Sequence, residues 1–257
     1  MNDSSADVGS FLKFTQHLSD EARLDLTRLA KRHSLAKSEY AFRAGGPADS
    51  VCVVEYGHLK VFEPVPDGRD VLMFIREPGE ILGLRGTLQR DGKGVRTYSA
   101  QACEASGILS VPAQNFRSYL ETHPRIALEV AETLSRRLNE TCDKLSRLAL
   151  TQVASRVAYL ILNVGQCYGT YIGKGVDLNV PFSQNEIADM VGAARQTVSG
   201  ILTTLKLEGV ISVSHKHIRI ENIERLKKLA ASNAPLELEP GPTTDAPGTR
   251  DRRKTPR

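Results

Sequence analysis

Several features are missing from this sequence, and each absence excludes something. No run of about 18 apolar residues occurs, so no segment reads as a membrane-spanning helix. Residues Met1 to Gln16 carry neither a basic stretch nor an apolar one, so no secretory leader is expected, and a cytoplasmic location is. The four cysteines, Cys52, Cys103, Cys142 and Cys167, are too few and too scattered for a disulfide scaffold. They have no CxxC spacing, which argues against a zinc knuckle or a thioredoxin-like pair. No internal repeat and no catalytic or metal-binding constellation stands out. Charge of one sign is not abundant either: 34 basic against 30 acidic residues leave only +4 over 257 residues. What remains is ordinary globular composition, 40% hydrophobic and 25% charged, with enough chain for two domains.

The pattern changes along the chain. Residues 1–10 are small and polar and read as a disordered start. From Phe11 to Lys31 the apolar positions Phe11, Phe14, Leu18, Ala22, Leu26 and Leu29 fit one or two short helices, with Ser19 as a cap. Residues 38–112 read as all-β. Val51 to Phe62 is β-branched and aromatic around a turn at Gly57, and Asp67-Gly68 reads as a hairpin turn between Leu59–Phe62 and Val71–Ile75. Pro78-Gly79 marks another turn, and Thr97–Ala102 and Gly107–Val111 supply two more strands. This spacing implies a β-sandwich or barrel. An enzyme of cupin type would need clustered metal ligands there, but residues 38–112 offer one histidine, His58.

Asn115–Leu120 then reads as a short helix, and Pro124 suits the first position of a long one. Ala127, Val130, Ala131, Leu134, Leu138, Thr141, Cys142, Leu145, Leu148 and Ala149 step by threes and fours along it. A narrow apolar stripe on a charged helix is the pattern of a dimer seam, the alternative being a helix packed on its own domain. Gln152–Cys167 is a more apolar helix, Gly169–Gly175 reads as a loop, and Val176–Val180 as a strand. Two helices, a hairpin and a last helix near Ile223–Ala231 follow. The tail, 232–257, holds five prolines and is expected to be disordered.

The most informative stretch is Phe182 to Gly209. Ser183 and Glu186 form a capping box that starts a helix, and Gly192 permits the sharp turn of a helix-turn-helix. A second helix, Ala194–Glu208, turns Val198, Ile201, Leu202 and Leu205 inward and presents Arg195, Gln196, Ser199, Gly200, Thr203 and Lys206 outward. Arg suits guanine and Gln suits adenine through paired hydrogen bonds in the major groove. Gly209 to Ile220 reads as a hairpin with a basic tip, a wing. Residues 147–228 hold ten basic and six acidic side chains, an excess equal to that of the whole chain. The modest net charge is therefore concentrated in a DNA-reading half.

On these residues the chain resembles the cyclic-AMP receptor protein / fumarate-nitrate regulator (CRP/FNR) family of bacterial transcription factors, over roughly residues 20–228. The carriers are the string from Ser183 through Glu186, Gly192 and Arg195-Gln196-Thr197 to Ser199, and the order barrel, long helix, winged helix. The resemblance implies an α+β chain without enzymatic activity. Residues 1–20 would be a tail and helix start, 21–122 a jelly-roll sensor domain, 123–149 a dimerisation helix, 150–231 a winged helix-turn-helix and 232–257 a tail. It implies a homodimer on a palindromic site in double-stranded promoter DNA, in contact with RNA polymerase. Arg195, Gln196 and Ser199 would touch bases. Gln184, Thr197 and Lys216 would touch the backbone, and Ser183 and Lys206 complete the expected set. Relatives reading a TGTGA-like half-site carry Glu where Gln196 stands and Arg where Gly200 stands, so that half-site is not expected. Ala194 also lacks the usual capping hydroxyl, a deficit of ~1 kcal/mol that a DNA phosphate could fill.

The family's effector cassette resembles Gly79 to Thr87 plus Arg96-Thr97. The implied pocket is Gly83, Leu84, Arg85, Gly86, Arg96 and Thr97, with Thr141 and Cys142 from the long helix. Arg96 beside a hydroxyl would make an anion site, and Arg85 adds a second cation. Leu84, however, stands where an acid accepts from a ribose hydroxyl, and an unpaired buried hydroxyl costs ~1–3 kcal/mol. Cyclic AMP is therefore disfavoured. Control by another effector at this barrel and dimer-helix pocket, a cyclic nucleotide or cyclic dinucleotide, is expected; the alternatives are a regulator that needs no effector and a nucleotide-binding protein with weak or no DNA binding. Residues 1–51 contain no cysteine, so an iron–sulfur cluster is not expected. His58 and Cys52 read as packing residues rather than haem ligands. Cys142 either packs or pairs with its copy across a dimer.

Overall fold

The computed structural model describes residues 26–89 and 94–232. Of the one or two helices expected over Phe11–Lys31, residues 11–25 with the Ser19 cap lie outside the described residues, as does the tail beyond residue 232. Two four-stranded antiparallel sheets make the N-terminal half. One has the order β1 (Lys31–Leu35), β8 (Ser106–Pro112), β3 (Ser50–Tyr56), β6 (Ile81–Leu82). The other has the order β2 (Tyr40–Phe42), β7 (Ser99–Ala102), β4 (Leu59–Pro64), β5 (Asp70–Arg76). The chain is thus α+β, as expected.

Both faces of the first sheet are covered, and the period-two alternation of β3 shows it. Cys52 and Val54 point between the sheets, into a core with Leu59, Val61, Leu82 and Ala100. Val51 and Val53 point the other way, against Phe116 and Tyr119 of helix α2 (Ala113–Thr122) and Ile126 and Val130 of helix α3 (Pro124–Leu150). Pro124 occupies the first turn of α3, where its missing N–H costs nothing. Only Ile126, Val130 and Thr133 of this 27-residue helix are buried.

The C-terminal half has its own core, formed by α4 (Val153–Tyr168), α5 (Gln184–Val191), α6 (Arg195–Leu207) and α7 (Ile223–Ala231). A third sheet flanks it, in the order β11 (Ile211–Ser214), β12 (His217–Ile220), β10 (Gly175–Leu178), β9 (Gly169–Ile172). Leu72, Ile75 and Cys103 of the sandwich belong to this second core. The outer face of β4–β5 is therefore an interface and not a solvent surface.

The structure corrects four sequence expectations. Gly169–Gly175 is not a loop but a hairpin, pairing Ile172 with Gly175, because Gly173 (φ 62°) supports a tight turn. Lys31 is not the end of a helix: it opens β1, whose first four residues are exposed and so carry no hydrophobic alternation. The strand expected from Thr97 begins at Ser99, and a one-turn helix, α1 (Leu84–Thr87), interrupts the chain before it. The strand expected to Val180 ends at Leu178.

Because Leu72 is fully buried among side chains of the C-terminal core, Leu72→Ala should destabilise that half by about 2–5 kcal/mol. Urea unfolding followed by a probe in α7 reads this. An unchanged midpoint would mean that the two halves do not share the core.

Candidate nucleic-acid interface and effector cassette

The local chemistry of α5 is fixed at both ends. Ser183 Oγ accepts from the Glu186 N–H (3.2 Å), and the Glu186 carboxylate accepts from the Ser183 N–H (2.7 Å), a complete capping box. At the other end Gly192 takes a left-handed conformation (φ 62°), and a Cβ there would lie 2.6 Å from Leu148 Cδ2 of α3. Arg156 of α4 grips the same corner: Nε donates to the Val191 carbonyl (2.8 Å) and a terminal nitrogen to the Thr151 carbonyl. Glycine is thus needed twice over, for its backbone and for its lack of side chain.

Helix α6 starts from Ala194 with no side-chain cap. Its first-turn N–H groups are left for another acceptor. Arg195, Gln196, Thr203 and Lys206 are exposed, and Thr197, Ser199 and Gly200 half-buried. Among the described residues Arg195, Gln196 and Lys206 make no side-chain hydrogen bond or ion pair. The wing turns at His215 and Lys216, both with positive φ (47° and 72°), as the favoured two-residue hairpin turn demands. The Lys216 carbonyl accepts from the Phe182 N–H (2.9 Å), which brings the wing tip beside Ser183 and Gln184. Ser183 itself is spent on the capping box.

The sequence gives no warning of how α5 is anchored. Lys60 of β4, only 8% exposed, donates to Glu186 (2.6 Å) and to the Pro181 carbonyl (2.9 Å). Burial pushes the Glu186 carboxyl up, but the Lys60 hydrogen bond, the Ser183 N–H and the Lys60 charge pull it, on balance, below its ordinary value. A depressed carboxylate stabilises the fold at neutral pH, and this contribution is lost as pH falls through the lowered value. Tyr168 of α4 adds a bond to the Ile75 carbonyl (3.2 Å).

The cassette is assembled differently from its expectation. Gly83 is left-handed (φ 90°), and a Cβ on it would lie 2.5 Å from the Arg96 guanidinium. Arg96 is buried. It donates to Ser50 Oγ (3.0 Å) and lies near Asp49 (3.4 Å), while among the described residues its Nε and Nη1 have no hydrogen-bond partner. Thr97 is exposed, beside the buried Arg96. Tyr98 takes the inward place: its hydroxyl accepts from the Gly83 N–H (2.7 Å), and its ring packs edge-on against Phe42. Leu84 is core, against the α2 and α3 side chains, and Gly86 is closed in by Ala48. Arg85 is half-exposed and paired with Glu63. Arg137 of α3 donates to the Ile81 carbonyl, and burial together with the Arg76 charge lowers it to about 10. Thr141 and Cys142 are both exposed, and Thr141 bonds back to the Arg137 carbonyl (2.8 Å). His58 is paired with Glu104 (2.6 Å).

Comparison with known proteins gives the same two-part layout. The model of the cyclic nucleotide-binding domain matches residues 32–123, and that of the Crp-like helix-turn-helix domain residues 155–229. The chain is 31% identical over 205 residues to the CRP-like cAMP-activated global transcriptional regulator of Mycobacterium tuberculosis, covering 80% of this chain and 90% of that one. It is 26% identical over 215 residues to the transcriptional activator protein anr of Pseudomonas aeruginosa, covering 82% and 85%. Among solved structures, FixK2 from Bradyrhizobium japonicum superposes with a TM-score of 0.67 at 22% identity, covering 80% of this chain and 99% of that chain, a likeness of fold.

Proposed function

The chain belongs to the CRP/FNR family of transcription regulators, and from that premise we propose that it binds palindromic promoter DNA as a homodimer. In this reading residues 21–122 form the sensor domain, 123–149 the dimer helix and 150–231 the DNA-reading domain. It acts in the cytoplasm, next to RNA polymerase, and has no catalytic role. No helix among the described residues is long and apolar enough to cross a membrane. The observation that carries the reading is the uncapped, outward first turn of α6, with Arg195 and Gln196 unpartnered beside a basic wing. Arg195, Gln196 and Ser199 then read base edges, while Gln184, Thr197, Lys206 and Lys216 hold the phosphates. Ser183 serves by positioning α5.

Dimerisation is supported by the face of α3 that its own fold leaves open. Leu138 and Leu145 are 63% and 67% exposed, and Leu134 and Leu148 extend the same stripe at heptad spacing. A twofold pair would present two α6 helices to successive major grooves, about 34–36 Å apart.

The effector is a separate matter. The Tyr98 hydroxyl on the Gly83 N–H and the packing of Leu84 in the core argue against cyclic AMP in the cassette. These contacts favour a barrel that works without a cyclic nucleotide, although the mycobacterial relative is named for cyclic-AMP activation.

Two outcomes are expected. In a binding-site selection, Arg195→Ala should lose base preference at one position of each half-site and about 1–3 kcal/mol of discrimination. A uniform loss on every sequence would assign Arg195 to a phosphate instead. In calorimetry, cyclic AMP should show no binding tighter than about 1 mM. A micromolar isotherm would refute the reading of Tyr98.

A further inference from the structure

A cavity of about 540 Å³ lies where the two halves and the long helix meet. Its size is that of a small-molecule site, about 300–1,000 Å³. Its walls come from β5, α3, α4 and the end of α5; it touches the cassette segment only at Glu80, and none of the implied pocket residues from Gly83 to Thr97, nor Thr141 or Cys142, lines it. Phe74, Leu160, Val164 and Met190 give it an apolar body.

Four acids border it: Glu80 and Glu140 pair with Arg76 at 3.1 Å and 3.9 Å, and Glu77 and Asp143 also line the wall. Lys144 and Arg147 stand one turn apart on α3. Among the described residues neither has a carboxylate partner within ion-pair distance. Lys144 Nζ has the Met73 carbonyl at 3.4 Å and the Phe74 ring at 5.3 Å. The Arg147 guanidinium stacks 3.4 Å over the Tyr159 ring, and its Nε is buried with no hydrogen-bond partner. Burial lowers the Lys144 ammonium below its ordinary value, as expected of a cation lacking a counter-charge. Two under-partnered cations beside an apolar, aromatic-walled space call for an anion with a hydrophobic body.

We propose that this interdomain cavity binds a small aromatic carboxylate, its carboxylate held by Lys144 and Arg147 and its ring system against Phe74, Leu160 and Met190. Such a ligand touches the sandwich, the long helix and the DNA-reading half together, so its binding is coupled to how they sit on one another. The binding stands independently of the DNA-reading function, and only the coupling rests on it.

Calorimetry with 2-naphthoate on the full chain tests the site. One molecule per protomer should bind, and neutral 2-naphthalenemethanol at least about tenfold more weakly. Lys144→Met and Arg147→Met keep the apolar stems and should each weaken naphthoate by at least about tenfold. Leu160→Phe, which fills the cavity from another wall, should weaken both probes. Equal binding of acid and alcohol, naphthoate binding unchanged in both cation variants, or no binding tighter than about 1 mM by the wild-type chain would overturn the proposal. Naphthoate should also change promoter affinity at least about fivefold, and not in Arg147→Met. If no DNA bound under any condition, the DNA reading would fail while the calorimetry still judged the site.

Discussion

One carboxylate does two jobs that elsewhere fall to separate residues. Glu186 closes the capping box of α5 and, with the same group, accepts from Lys60 on the outer face of the β4–β5 sheet. A part-buried ion pair of this kind gains little over well-packed apolar side chains, but losing one partner leaves the other charge poorly paired. Its effect is therefore on geometry more than on total stability. The first helix of the helix-turn-helix folds in one place only, against β4 and β5, and the orientation of α6 follows from it.

The remaining contacts across the domains agree with that placement. Leu72 and Ile75 extend the C-terminal core into the sandwich, Tyr168 bonds to Ile75, and Gly192 lets the inter-helix turn settle on Leu148 of α3. Arg156 fastens the end of α5 to the α3–α4 junction. The turn between the two DNA-binding helices is thereby in contact with the helix proposed to dimerise. A shift of α3 would move α5 and α6 together, because packed interfaces switch between arrangements and do not deform smoothly.

What the sequence revealed follows from how local each signal is. The capping box at Ser183 and Glu186, the Gly192 turn, the hairpin at Asp67-Gly68 and the start of the long helix at Pro124 are short-range signals, and all four stand in the structure. β1 was illegible because its exposed edge residues carry no hydrophobic period. Lys60 reads as a surface lysine, since alternation places it opposite Leu59 and Val61. Only the C-terminal half, more than a hundred residues away in sequence, makes that outer face an interior. At the cassette the motif Arg96-Thr97 says nothing of Tyr98, whose contact with the Gly83 N–H arises only when the chain before Ser99 bends against Gly83. The interdomain cavity had no sequence signal, because its walls meet only when both halves are in place.

The most direct test of the anchoring role of Glu186 is a double-mutant cycle in urea with Lys60→Met and Glu186→Gln, the latter retaining the capping-box geometry. A coupling energy of about 1–3 kcal/mol between the two sites would mean that the capping carboxylate and the β4–β5 sheet are held by one interaction. Additivity within about 0.5 kcal/mol would mean that the DNA-reading half is positioned without it.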